Sequence, residues 1–163
     1  EAEQTVAQTA EKLGIKNKNE LLEIAESRMA EISSLRYELA QIKQQIAVGQ
    51  APQLAAQAVD GVVVARVDDL ERDSLRDLAV SIRDQEGVHA VALAGALAGG
   101  SGVALVSAVT PDSPLNAGAL IDDAKKTVGG GGKPADELAV AGGKHVELID
   151  AALDQVRAAA GIA

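Results

Sequence analysis

The chain has 163 residues, enough for one domain with an appendage, and a formal net charge of -9, most of it carried after residue 50. Its 47% hydrophobic fraction is almost entirely Ala, Val, Leu and Ile, because Phe, Trp and Cys are absent and Tyr37 is the lone aromatic. That composition excludes disulfide stapling, thiolate chemistry, Cys-rich zinc modules and base stacking in the second half. The acidic field also opposes nonspecific nucleic-acid binding, so any RNA contact has to be a local basic patch.

No apolar run approaches the ~20 residues that span a bilayer, and the first residues are acidic rather than signal-like. A cytoplasmic protein without membrane contact is expected. The missing initiator Met fits a piece of a longer protein, although a removed Met or tag would leave the same sequence.

In chain order, "EQTVAQTAEKLG" reads as a short helix stopped at Gly14, and a longer helix follows to Gly49, where Gly and then Pro52 end it. Residues 1–50 thus read as a helical hairpin. Leu21, Ala25, Ile32, Leu35, Leu39, Ile42 and Ile46 recur at alternating spacings of four and three, the period of a coiled-coil seam, interrupted only by Arg28. Two readings stand: the stripe packs on the short helix and the following domain, or it is the seam of a homodimer.

Residues 51–163 change period. "GVVVARV" (61–67) is a β-branched run suited to a buried strand. "DDLERDSLRDLAVSIRDQEG" predicts an amphipathic helix with Leu70, Leu75, Leu78, Ala79 and Ile82 inward and Gly87 at its close. Two apolar strands then join through Gly99 to Gly102 as a hairpin. A turn and a helix follow over "PDSPLNAGALIDDAKKTVG", a short strand is possible at "ELAVAGG", and a last helix aligns Val146, Ile149, Leu153 and Val156. The order describes a small α/β layer domain with a Gly-rich loop.

Catalytic material is sparse. His89 and His145 lack metal-ligand spacing, and Asp68/Asp69 and Asp122/Asp123 fit helix N-termini better than a magnesium site. No catalytic or metal residues are expected. The stretch "TVGGGGKPADELAVAGGK" is the exception. Gly129, Gly130, Gly131 and Gly132 at positive φ would expose successive N–H groups as an anion-binding nest, with Lys133 adding charge and Lys125, Lys126 and Lys144 nearby. Pro134 stands where a P-loop needs Ser or Thr. A flexible linker is the alternative, but apolar-patterned helices on both sides favour an ordered loop.

These residues, from "KKTVGGGGKPADELAVAGGKHVELIDAALDQVR" back through "EKLGIKNKNELLEIAESRMAEISSLRYELAQIK", resemble the C-terminal (C-Ala) region of alanyl-tRNA synthetase, a domain type shared with DHH phosphoesterases. Val140 stands where that family commonly has Gln. The resemblance implies a non-catalytic region that dimerises through its helices and contacts the elbow of tRNA-Ala with its globular part, linking aminoacylation to editing. It also implies that ATP, metal ion, and the catalytic and editing domains belong to the rest of a parent ligase. No cofactor is expected in this region, and no DNA. Two other readings are a purely structural oligomerisation module and the substrate-binding accessory domain of a DHH phosphoesterase.

Overall fold

A computed structural model describes residues 2–12, 14, 18–133 and 135–162, which leaves Pro134 outside the described residues. Two compact units divide the chain, Glu1–Gln41 and Ile42–Ala163. The first holds helix α1 (Ala2–Lys12) and most of helix α2 (Lys18–Gly49). Gly14, at φ 69°, lies just beyond α1, in the left-handed conformation that favours glycine after a helix.

The apolar stripe of α2 is open. Ile32, Leu35, Leu39, Ile42 and Ile46 are between 47% and 58% exposed, Ala25 is exposed and Leu21 is half-buried. In the second unit, the last turns of α2 pack through a different face. Ala47 is buried in the core with Ala51 of the short helix α3 (Ala51–Ala55). Beside it Lys43 pairs with Asp69, and Gln44 Nε2 donates to Asp77 Oδ2 at 2.7 Å. The reading in which the following domain covers the stripe is therefore corrected at Ile42 and Ile46: that domain takes the Ala47 face instead.

The rest of the second unit runs β1 (Val62–Arg66), α4 (Arg72–Arg83), β2 (Ala90–Ala96), β3 (Val103–Val109), α5 (Ala117–Leu120), α6 (Asp122–Thr127), β4 (Gly131–Gly132), β5 (Leu138–Gly143) and α7 (Ile149–Ala160). These make one five-stranded sheet in the order β1-β2-β3-β5-β4. β1 and β2 are parallel across α4, and the other pairs are antiparallel.

Strict alternation along the central strands sends side chains to two cores. Ala92, Ala94, Val103 and Leu105 face α5, α6 and α7, whereas Val91, Leu93, Ala104 and Val106 face α4 and the end of α2. Some cross-strand partners set small against large, as in Ala94 opposite Leu105 and Val91 opposite Ala108. Ser107, fully buried, donates to the Ala117 carbonyl and so ties β3 to the start of α5.

Several boundaries differ from the periodic reading: α4 stops at Arg83 rather than running on to Gly87, and the last helix begins at Ile149, with Val146 in a 3-10 turn before it. α4 begins at Arg72, because Asp69 turns the chain at φ 65° and Leu70 bridges to Leu97, where it is still buried. The helix expected before the glycine run is two short ones, broken at Ile121. The run itself contains an edge strand that its composition did not announce.

Candidate functional site

The four glycines do three separate jobs. α6 ends at Val128, and Gly129 takes φ 68°. The Gly129 N–H donates to the Lys126 carbonyl at 3.0 Å and the Gly130 N–H to the Lys125 carbonyl at 2.8 Å, the paired bonds of a Schellman cap. Gly131 and Gly132 then pair with Gly142 and Ala141.

The anion-binding nest expected of Gly129, Gly130, Gly131 and Gly132 is thereby corrected. Only Gly129 has positive φ, and the first two N–H groups close the helix rather than pointing outward. What glycine supplies next is close approach: a Cβ on Gly130 would lie 1.5 Å from the Gly142 carbonyl oxygen, and one on Gly132 would lie 2.5 Å from the Val140 oxygen. The second glycine pair packs back on the same helix end, with a Cβ on Gly143 falling 2.4 Å from Val128 Cγ2. Beyond it the N–H groups of Lys144 and His145 both donate to the Val128 carbonyl, at 2.7 and 3.0 Å.

The four lysines separate into two pairs. Lys125 Nζ lies 2.6 Å from Asp122, and Lys126 Nζ lies 2.7 Å from Asp122 and 3.2 Å from Asp123. Hydrogen bonds from Lys125 and then Lys126 hold the Asp122 carboxyl well below its usual range, at about 2, and the Asp122 partner raises Lys126. The acidic pair thus sits in the first turn of α6, as a helix start favours, and neutralises its own lysines. Lys133 and Lys144 are exposed and have no ion-pair partner among the described residues.

Both histidines have local partners. His89, just before β2, bridges the Asp60 carbonyl (Nε2, 2.9 Å) in the turn before β1 and Ser113 Oγ (Nδ1, 3.1 Å). His145 Nδ1 meets Glu147 at 3.2 Å at the surface.

A cleft of about 490 Å³ lies between the start of α4 and β5. α4 packs on β2 and β3, so the same face of β5 stays half-open, floored by Leu138 and Val140. Arg72, Arg76 and Lys133 line it, with Asp73 as the single acid. The Arg72 guanidinium sits over Gly142, where a Cβ would lie 3.0 Å from Nη2. None of the three cations is ion-paired among the described residues. The two arginines are absent from the sequence reading. Their one signal is the spacing of four on α4, which places them together away from buried Leu75 and Leu78.

The sheet that carries this site lies within a stretch that matches the DHHA1 domain. The chain belongs to that family, which matches residues 60–161. Among curated proteins it is 36% identical over 96% of its length to "Alanine--tRNA ligase" of Acidothermus cellulolyticus and 37% identical over 78% to that of Thiobacillus denitrificans. It spans only 19% and 15% of those relatives. In fold it resembles the C-Ala domain of Aquifex aeolicus alanyl-tRNA synthetase, with TM-score 0.54 and 24% identity over 60% of this chain and 88% of that one. It also resembles RecJ of Thermus thermophilus, with TM-score 0.53 and 17% identity over 81% and 21%.

Proposed function

We propose that this chain is the C-terminal, non-catalytic region of an alanyl-tRNA synthetase, contributing tRNA contact and self-association to the aminoacylation and editing of tRNA-Ala. The observation that carries this reading is the 36% identity to an alanine-tRNA ligase across 96% of the chain, helical segment included. Chemistry with ATP and a metal ion then belongs to the remaining four-fifths or so of the parent, a cytoplasmic enzyme, which supplies its catalytic and editing domains as partners.

Within this reading Lys133 and Lys144 are the free cations beside the glycine element, while Lys125 and Lys126 keep Asp122 and Asp123 as local counterions. Gly129 to Gly132 act through backbone placement rather than by binding an anion themselves. The open stripe of Leu21, Ala25, Ile32, Leu35, Leu39, Ile42 and Ile46 pairs with a second copy.

The test is binding of a tRNA-Ala transcript by the 163-residue chain over a salt series. Weak binding is expected, with affinity falling on added salt by a log-log slope of about 0.7 to 0.9 per phosphate contact. No binding at about 50 mM salt, where phosphate contacts are strongest, would remove the RNA role and leave a structural module.

A further inference from the structure

We propose that the cleft between α4 and β5 is an RNA-backbone site in which Arg72, Arg76 and Lys133 grip successive phosphates. This rests on the tRNA-binding reading above and adds to it the face, the residues and the mode of recognition.

The charge argument comes first. The chain as a whole is strongly acidic, yet this cleft gathers three cations against one carboxylate. Elsewhere in the second unit each described arginine and lysine except Lys144 is tied to an acid: Lys43 to Asp69, Arg66 to Asp68 and Asp150, Arg83 to Asp84, Arg157 to Asp154, and Lys125 and Lys126 to Asp122. Arg72 and Arg76 depart from that pattern, with no acidic partner among the described residues. An unneutralised cationic cleft in a negative body is the local patch that a polyanion needs.

The guanidinium chemistry narrows the ligand. Arg72 and Arg76 stand four residues apart on one helix face and offer planar forks that match phosphate oxygens two at a time, and Lys133 adds a point charge from the opposite wall. The floor is aliphatic, Leu138 and Val140, and no aromatic lines the cleft. Bases therefore have no stacking platform, so recognition runs through backbone and shape and tolerates sequence. Gly142 lets the Arg72 guanidinium lie close to β5, since a Cβ there would stand 3.0 Å from Nη2.

An acidic peptide is the competing occupant of such a cleft. RNA is favoured because the relatives are named as tRNA ligases and because three cations against one carboxylate suit a polyanion.

The experiment measures tRNA-Ala binding by the wild-type chain, Arg72→Gln/Arg76→Gln, Arg72→Lys/Arg76→Lys and Lys144→Gln over the same salt series. Thermal melts verify that each variant is folded. The glutamine pair should weaken binding by at least roughly 10-fold and lower the salt slope by about 1.4 to 1.8. The lysine pair should recover the slope but not the full affinity. Lys144→Gln, outside the cleft, should cost less. Wild-type binding that the glutamine pair leaves unchanged overturns the cleft and leaves the tRNA reading standing. Failure of the wild type to bind overturns both. If the glutamine pair alters sedimentation but not RNA affinity, the cleft holds a protein segment and the RNA assignment is wrong.

Discussion

Gly130 and Gly142 meet backbone to backbone, so closely that a Cβ on Gly130 would lie 1.5 Å from the Gly142 carbonyl oxygen. No rotamer change relieves a contact between a Cβ and a main-chain atom. The turn from α6 into β4 therefore requires glycine for space, while one residue further Gly131 faces nothing within 4 Å.

Gly130→Ala should consequently lose about 3 kcal/mol of stability as β4 is forced off β5, whereas Gly131→Ala should stay within about 0.5 kcal/mol of wild type. Urea unfolding of the two variants checks this directly. Equal effects would mean that the run is a flexible linker after all.

Gly129→Ala is an intermediate case. Its φ of 68° is left-handed, and an added Cβ would lie 2.4 Å from His145 Cδ2, an exposed side chain that can swing away. The cost should be that of the left-handed conformation alone, roughly 1 to 2 kcal/mol. The same unfolding series ranks it between its two neighbours.

Acid should act on α6. Hydrogen bonds from Lys125 and Lys126 hold the Asp122 carboxyl down to about 2 in the folded chain, below the ordinary aspartate value of 3.8. A depressed carboxyl contributes stability that is complete above the unfolded value and disappears as pH falls through the folded one. Melting temperature should therefore fall between about pH 4 and pH 2, less steeply in Asp122→Asn, with the two proteins converging at the acid end. Parallel curves across that window would show that the lysine contacts add nothing.

The open stripe of α2 gives a test of self-association. Ile32→Asp or Leu39→Asp places a charge among exposed aliphatic side chains, so the folded monomer should be unaffected while a paired seam would bury that charge. Sedimentation should show concentration-dependent association of the wild type, shifted toward monomer in either variant. A wild type that stays monomeric at high concentration ends the dimer reading.

The fold was legible wherever burial imposes a period. The β-branched run at 62–66, the α4 stripe of Leu75, Leu78, Ala79 and Ile82, and the α7 stripe of Ile149, Leu153 and Val156 all emerge as read, because each element buries one face or both. Boundaries slipped where local backbone overrode the pattern. Leu70 is buried from an extended stretch rather than from the helix, which hydrophobicity alone does not distinguish. Of the candidate site, the sequence singled out the glycine run but expected positive φ throughout, where only Gly129 has it. Positive φ, close approach and edge pairing all demand glycine, and sequence does not say which demand applies.

Alternation and aliphatic composition alone determined a layered α/β body with an appended apolar-striped helix, because a chain with one tyrosine as its lone aromatic and no cysteine is stabilised chiefly by burying such faces. The placement of β5 between β3 and β4 was decided by the tertiary structure. That order puts Gly131 and Gly132 at an edge and brings Lys133 across from Arg72 and Arg76, residues far apart in the chain. It also decided which lysines keep a free charge, since Asp122 claims its neighbours through the geometry of one short helix. Strand order and ion pairing depend on contacts between distant segments, to which a local period is blind.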